Sequence, residues 1–340
     1  MEKVLFFDAK QYDIDFFNQQ KEELSKNNSA VSNLEFEFLD LKLNEKTVSL
    51  AYGKKIICAF VNDRINDAVI ENIAKNGTEL LALRCAGYNN VSLKKAQEVG
   101  LKVVRVPEYS PYAVAEHAVA LIMTLNRHVH KAYSRVRDGN FSLNGLIGFD
   151  MHGKTVGVIG TGRIGQIMIK IIKGFGCKVL AFDLYPQAKL PSELGFEYVA
   201  LEEIYKQSDI ISLHVPLSKE TYHMINQKTI ELMKDKVILI NTSRGPLIDT
   251  QPVIDALKSG KIKAAGLDVY EEEEKYFFED LSNEVVVDDQ LARLLSFNNV
   301  IVTSHQAFLT EEALRNIAAT TIGNILEFVD NKTLTNEVKL

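Results

Sequence analysis

The chain has 340 residues, which is more than one hydrophobic core usually accommodates and enough for two domains of ordinary size. Hydrophobic residues make up 46% of it and charged residues 25%, which is typical of a soluble globular protein. The formal net charge of -6 argues against a nucleic-acid partner, because the chain has no excess of basic side chains to neutralise phosphates.

The sequence also indicates the compartment. Its three cysteines, Cys58, Cys85 and Cys177, are widely spaced and form no CxxC pair, so we expect neither a disulfide framework nor a zinc site. The apolar run near the N-terminus, Val4–Phe7, is too short for the core of a signal peptide, and no stretch of about 18 apolar residues is available to span a bilayer. We therefore predict a cytoplasmic protein with no membrane partner and no metal.

Short β-branched or apolar segments alternate with segments of helical periodicity along the chain. This alternation predicts βαβ units and two parallel sheets in tandem. The predicted strands of the first sheet are Val4–Phe7, Ile56–Phe60, Leu80–Leu83 and Val103–Val106. Those of the second sheet are Thr155–Ile159, Lys178–Phe182, Ile210–His214, Val237–Asn241, Ala265–Val269 and Val300–Thr303. Between the two sets, a helical pattern runs from Pro111 to about Asp138 and suits a helix between domains or subunits, which favours a homodimer or a homotetramer.

A glycine-rich loop follows the strand Thr155–Ile159 and precedes an apolar helix. A GxGxxG pattern is weak evidence alone, but this context is typical of a dinucleotide site. Gly160 permits the tight turn, Gly162 lets the pyrophosphate approach the backbone, and Gly165 allows close packing of the helix. The N–H groups at the start of that helix, around Arg163 and Ile164, then bind the phosphates.

Asp183 ends the next strand, 18 residues after Gly165. A carboxylate there accepts hydrogen bonds from the ribose hydroxyls of NAD and repels the 2′-phosphate of NADP. No arginine in Leu184–Pro186 would offset that repulsion. The predicted cofactor is therefore NAD, although a structural glycine turn with an exposed aspartate remains the alternative.

Three charged residues follow the carboxyl ends of strands in the second sheet: Arg244, Glu273 and His305. Ligands of open parallel sheets sit at that edge, so we expect the three side chains to converge. Arg244 would bind a substrate carboxylate through two hydrogen bonds, and His305 would act as general acid and base on a carbonyl oxygen. A carboxylate beside the histidine orients its ring and favours its charged form, which is the role predicted for Glu273. Each residue alone has a structural explanation, and spacing alone does not select Glu273 from the acidic run Glu271–Glu274.

The chain resembles the D-isomer-specific 2-hydroxyacid dehydrogenases over nearly its whole length. The matching motifs are Gly157–Gly165, His214–Pro216, Asn241–Gly245, Asp268–Glu271 and Ser304–Phe308. Two further segments, Leu83–Val91 and His305–Thr310, are similar to the fermentative D-lactate dehydrogenase branch. The resemblance implies an NAD-dependent oxidoreductase that reduces pyruvate to D-lactate by hydride transfer.

The family's arginine, glutamate and histidine fall on Arg244, Glu273 and His305, and the family's D-x-Y-E-x-E spacing selects Glu273. The resemblance further implies that N–H groups near Ala86 and Gly87 bind the substrate carboxylate, and that Tyr109 and Phe308 line a methyl-sized pocket. The residues it implies for contacts with NAD are Val215, Pro216, Thr242, Ser243 and Asp268.

The resemblance also implies the domain organisation: two Rossmann-like or flavodoxin-like α/β domains with the active-site cleft between them. We expect a discontinuous substrate domain of residues 1–101 plus 307–340, and an NAD-binding Rossmann domain of residues 102–306. Two other functions remain open at this stage. One is the same chemistry on another 2-keto acid, and the other is an NAD-sensing, corepressor-like binding protein on the same scaffold.

Overall fold

In the computed structural model, which describes residues 1–339, the chain divides into two compact units. The first unit consists of Met1–Ser110 and the residues from Phe308 onward, and the second of Pro111–Ala307. The strand Lys102–Val104, which follows the expected boundary at residue 101, pairs within the first unit's sheet.

The first 110 residues fold into five strands and four helices. In chain order these are β1 (Glu2–Phe6), α1 (Gln11–Ser25), α2 (Ser29–Ser32), β2 (Leu34–Phe38), β3 (Ile56–Ala59), α3 (Asp67–Lys75), β4 (Leu80–Leu83), α4 (Leu93–Glu98) and β5 (Lys102–Val104). The strands form a parallel sheet in the order β2-β1-β3-β4-β5, which is the flavodoxin-like order. The edge strand β2 was not predicted from the sequence.

The second unit carries eight helices and seven strands. These are α5 (Pro111–Arg127), α6 (Val129–Arg137), β6 (Thr155–Ile159), α7 (Arg163–Gly174), β7 (Lys178–Phe182), α8 (Leu190–Leu194), β8 (Glu197–Tyr198), α9 (Leu201–Gln207), β9 (Ile210–Leu213), α10 (Gln227–Leu232), β10 (Val237–Asn241), α11 (Thr250–Ser259), β11 (Ile262–Leu267), α12 (Asp289–Ser296) and β12 (Val300–Val302). The parallel sheet has the order β12-β11-β10-β9-β6-β7-β8, which is the Rossmann order with one further strand beyond the usual six. The predicted fold class, an α/β protein with two parallel sheets, is confirmed.

Both faces of the larger sheet are buried. Ile238 and Ile240 of β10 pack in one core cluster, which also contains residues of α5 and α7. Leu239, between them, packs in a second cluster with residues of α9, α11 and α12. Because successive strand residues point to opposite faces, this alternation shows why the strands of this sheet are almost continuously apolar.

The last helix of the chain, α13 (Glu311–Val329), belongs to the first unit and packs against α1 and β4. The prediction of one continuous helix over Pro111–Asp138 is wrong. His128 adopts a left-handed conformation with φ of 52°, and this single residue separates α5 from α6. None of the helices within residues 1–339 is both long enough and apolar enough to cross a bilayer.

Candidate active site

The glycine-rich loop lies at the point where the strand order of the larger sheet reverses, between the end of β6 and the start of α7. Gly160 has a φ of +99°, and a Cβ there would lie 2.4 Å from the carbonyl oxygen of His214. A Cβ on Gly165 would lie 2.0 Å from the carbonyl oxygen of Gly160, so the helix start is packed tightly onto the loop. At Gly162, by contrast, a Cβ would meet no atom within 4 Å, which leaves room for a phosphate beside the first N–H groups of α7.

Asp183, directly after β7, is hydrogen-bonded to this loop. Its Oδ2 accepts hydrogen bonds from the backbone N–H of Thr161 at 2.6 Å and from the Thr161 hydroxyl at 2.9 Å, while Oδ1 accepts one from the N–H of Tyr185 at 2.9 Å. Partial burial acts to raise the pKa of Asp183, but these hydrogen bonds outweigh it, and the pKa is lowered. The carboxylate is thus charged at neutral pH and can accept hydrogen bonds from hydroxyl groups.

The other residues predicted to contact the cofactor follow β9 and β10, the strands on the far side of the reversal point. Val215 packs beside Gly160, and the Ser243 hydroxyl donates to the carbonyl oxygen of Leu213 at 3.2 Å. The Thr242 hydroxyl oxygen is buried and has no hydrogen-bond partner within residues 1–339. A buried polar atom without a partner is costly, so a ligand that supplies one would be favoured there. Together with the open space at Gly162, this shows that the residues fit a dinucleotide.

His305 and Glu273 form a pair at the adjacent strand ends. The Nδ1 atom of His305 lies 2.8 Å from Oε1 of Glu273, and both side chains are largely buried. Because a carboxylate only accepts hydrogen bonds, Nδ1 carries the proton in this pair, and the proton of the neutral ring is not on Nε2. The second carboxylate oxygen of Glu273 accepts from the N–H of Tyr270 at 2.9 Å, which fixes the carboxylate in place.

The rest of the acidic run has other partners. Glu271 binds Nε2 of His223 at 2.5 Å and the hydroxyl of Thr250 at 2.8 Å. Glu272 pairs with Lys275 at the surface. Glu273 is therefore the residue that pairs with His305, a choice that residue spacing within the acidic run could not make.

Asp268 holds the segment that carries His305. It is fully buried after β11, and its carboxylate accepts hydrogen bonds from the Thr303 hydroxyl at 2.6 Å and from the N–H groups of Gln306 and Ala307 at 2.9 Å each. The carbonyl oxygen of Asp268 accepts from the N–H of His305 at 2.7 Å. Asp268 was predicted to contact NAD; in the structure both of its carboxylate oxygens support the histidine segment.

His117 also reaches this carboxylate. Its Nε2 lies 3.1 Å from the Thr303 hydroxyl and 3.4 Å from Oδ1 of Asp268. His117 and Thr303 are 186 positions apart in sequence, and no motif joins them, so sequence reasoning missed both as parts of this network.

Arg244 follows β10, the neighbour of β11. Its backbone carbonyl accepts a hydrogen bond from the Asn241 side chain at 2.8 Å, and its Nη1 donates to the Ser243 carbonyl at 2.7 Å. The following residue, Gly245, lies against the Tyr270 carbonyl so closely that a Cβ would be 2.1 Å from that oxygen. The loops that carry Arg244 and Glu273 are therefore in direct contact.

In the first unit, an aromatic group surrounds Phe308. The Phe308 ring lies 6.2 Å from that of Tyr109 and 5.9 Å from that of Phe60, and the Phe60 ring is stacked under the buried guanidinium of Arg84. Phe60 was not predicted as a site residue, because in the sequence it is the last apolar residue of the predicted strand Ile56–Phe60. The predicted carboxylate-binding residues Ala86 and Gly87 lie in the loop after β4.

No cluster of three or more His, Cys, Asp or Glu side chains within residues 1–339 is placed to hold a metal ion. The fold and the glycine loop define a dinucleotide-binding α/β enzyme, with a histidine–carboxylate pair at the carboxyl edge of its sheet.

Comparison with known proteins identifies the class. Residues 119–307 match the family described as "D-isomer specific 2-hydroxyacid dehydrogenase, NAD binding domain". The D-lactate dehydrogenase of Escherichia coli K12 is 51% identical over 336 residues, which cover 99% of each chain. The apo-structure of the Escherichia coli D-lactate dehydrogenase has a TM-score of 0.88 at 49% identity and covers 99% of this chain and 100% of that one. A structure described as the pyruvate reductase of Chlamydomonas reinhardtii has a TM-score of 0.91 at 46% identity, covering 99% and 98%. The chain belongs to the D-isomer specific 2-hydroxyacid dehydrogenase family, and its cofactor is NAD.

The glycine loop generates a prediction with an internal control. Gly165→Ala should lower the free energy of unfolding by roughly 1–3 kcal/mol or more, because the new Cβ overlaps the Gly160 carbonyl. Gly162→Ala should leave the melting temperature nearly unchanged but weaken NADH binding at least about tenfold, since the methyl group enters the phosphate space. Thermal unfolding and NADH titration of both variants check this.

Gly174→Ala is the matched control, because a Cβ there also meets nothing within 4 Å and lies at the other end of α7. It should leave NADH binding unchanged and should not lower the melting temperature, because alanine is the better helix former. Unaltered NADH binding in Gly162→Ala would show that the phosphates do not lie at this helix start.

Proposed function

We propose that this enzyme is a D-lactate dehydrogenase, which reduces pyruvate to D-lactate with NADH. The observation that carries the proposal is the 2.8 Å pair of His305 and Glu273, located at the same sheet edge as the dinucleotide loop. The activities of the similar proteins, D-lactate dehydrogenase and pyruvate reductase, support pyruvate as the acid.

Proton transfer is assigned to His305. When bound, NADH supplies the hydride that reduces C2 of the acid. His305 donates a proton from Nε2 to the oxygen on C2 and recovers one from solvent afterwards. Glu273 holds Nδ1, which fixes the direction of Nε2 and compensates the positive charge of the protonated ring.

Substrate binding is assigned to one charged side chain and two backbone groups. Arg244 binds the substrate carboxylate with two parallel hydrogen bonds. This also fixes the orientation of the neighbouring carbonyl group. The N–H groups of Ala86 and Gly87 donate further hydrogen bonds to the carboxylate. Tyr109 and Phe308 limit the space for the third substituent of C2, and the ring contact between Phe308 and Phe60 adds Phe60 to that wall.

The first experiment is a substrate panel. NADH oxidation is measured with pyruvate, 2-ketoisocaproate, glyoxylate and hydroxypyruvate, and the chirality of the product is determined. We expect the highest kcat/KM with pyruvate and D-lactate as product. A higher value with the branched acid would retain the reaction and overturn the pocket assignment. Binding of NADH without turnover of any acid would favour the corepressor-like alternative, whose function needs no proton donor.

The role of His305 gives a second prediction. His305→Gln should lower kcat by about 10²–10⁴-fold, because the general acid is lost, while NADH binding persists. The matched control is His152→Gln, an exposed histidine outside the site, which should keep wild-type turnover. A kcat near the wild-type value in the His305 variant would exclude it as the proton donor.

We further propose that the chain acts as a homodimer or homotetramer in a reducing cytoplasm. Phe141, Leu143 and Ile147, in the loop after α6, are 75%, 80% and 87% exposed, and an apolar group of this kind is typical of a subunit interface. The three cysteines are buried and unpaired, as free thiols of that compartment are.

Sedimentation at several concentrations tests the oligomer. The wild type should be a dimer or larger, and the double variant Leu143→Glu, Ile147→Glu should dissociate to a smaller species, because charge at an apolar interface is unfavourable. Val285→Glu, at an equally exposed apolar residue, is the control and should not change the mass. A monomeric wild type would contradict the proposal.

A further inference from the structure

Arg105 lies directly after β5, and its side chain reaches the loop after β4. Its Nη1 donates a hydrogen bond to the carbonyl oxygen of Ala86 at 2.9 Å. Its guanidinium also lies over the ring of Tyr88, with Cζ 5.1 Å from the ring centroid. One arginine thus contacts the loop on both sides of Gly87, although it is 19 positions from Ala86 in sequence.

The hydrogen bond to Ala86 determines where Gly87 points. The carbonyl of Ala86 and the N–H of Gly87 belong to the same planar peptide group, and in a trans peptide they point in opposite directions. Holding the Ala86 oxygen therefore fixes the direction of the Gly87 N–H. Without Arg105, this peptide group could rotate and turn a carbonyl oxygen toward the side where the N–H now points.

That N–H group is available for a ligand. Among the hydrogen bonds of residues 1–339, none is donated by the N–H of Ala86 or Gly87 to a protein acceptor. Both residues are only partly buried. Adjacent N–H groups without protein acceptors form a cradle suited to a carboxylate.

The backbone of Arg105 is itself fixed from both sides. Its N–H donates to the carbonyl oxygen of Asn336 at 3.1 Å, and its carbonyl accepts from the side chain of Asn324 at 2.9 Å. The N–H of Val338 donates to the Val103 carbonyl at 2.8 Å, so the segment from Asn336 to Val338 lies along the edge strand β5. Because these bonds use backbone atoms of Arg105, they persist when its side chain is changed.

We infer that Arg105 is a positioning residue for substrate binding, which aims the Gly87 N–H at the carboxylate of the 2-keto acid. This inference rests on the proposed function, because that function assigns the carboxylate to Ala86 and Gly87. The role assigned to Arg105 is to hold the loop, since its Nη1 donates to Ala86 and its planar face lies over Tyr88.

The test compares Arg105→Met with the wild type. Methionine replaces the aliphatic part of the arginine side chain but has neither the N–H donor to Ala86 nor the positive charge. We expect the KM for pyruvate to rise on the order of tenfold, because a slightly misplaced donor weakens the grip on the substrate. The KM for NADH should stay within about twofold, because that site lies in the other unit, and the melting temperature should be retained.

Arg105→Lys and Arg293→Met are the companion variants. Lysine keeps one charged donor but no planar group to stack on Tyr88, so it should recover part of the lost affinity. Arg293 is an exposed arginine stacked on Phe297, so Arg293→Met removes a similar ring contact elsewhere and should leave the KM for pyruvate unchanged. An unchanged KM in Arg105→Met overturns the inference. So does an equal loss of affinity for pyruvate and NADH with a lowered melting temperature, which would reveal a general structural role.

A binding measurement separates this inference from the proposed function. Oxamate, an unreactive analogue of pyruvate, is titrated into the enzyme–NADH complex and its Kd is determined. If the wild type binds oxamate and Arg105→Met binds it about tenfold more weakly, the inference holds even where pyruvate is not turned over. If the wild type reduces pyruvate and both proteins bind oxamate equally, the proposed function stands and the inference fails. If the wild type neither reduces pyruvate nor binds oxamate, both fail.

Discussion

The site of the second unit depends on the hydrogen bonds that the buried carboxylate of Asp268 accepts. A charge in the interior is very unfavourable without partners, and the Thr303 hydroxyl and the N–H groups of Gln306 and Ala307 donate hydrogen bonds to this carboxylate, in addition to the approach of His117. Those donors all come from the segment after β12, whereas Asp268 follows β11. The requirement to satisfy one buried charge therefore ties two neighbouring strand ends together. It also sustains the left-handed conformation of His305, whose φ is 53°.

Much of this arrangement was predictable, because parallel strands impose it. Once six strands of the second sheet had been read from their apolar character, the rule that ligands sit at the carboxyl ends was enough to bring Arg244, Glu273 and His305 to one edge. The strands Thr155–Ile159, Lys178–Phe182 and Val237–Asn241 have the bounds that the sequence predicted. The strand before Asp268 begins earlier than predicted, at Ile262, because Lys263 interrupts its apolar pattern.

Other features left no local signal. The break between α5 and α6 occurs at His128 with neither glycine nor proline to mark it, and the apolar periodicity continues across it. Strand β2 contains Glu35 and Glu37 and pairs at the sheet edge, so its composition reads as that of a loop. The partners of the acidic run also could not be read from the sequence. Whether Glu271 or Glu273 faces His305 depends on the turn after β11, which places the first against His223 and the second against His305.

The distribution of these residues between the two units has a consequence for the evolution of the enzyme. The pair of His305 and Glu273 and the dinucleotide loop lie within Pro111–Ala307, whereas the aromatic group around Phe308 belongs to the other unit. Substitutions in the aromatic group can therefore accumulate without changing the unit that carries the histidine–carboxylate pair. The return of α13 onto α1 and β4 adds one condition to this modularity. A recombination event that exchanges the N-terminal segment between relatives must bring the matching C-terminal helix with it, so the two ends of the gene are expected to co-evolve.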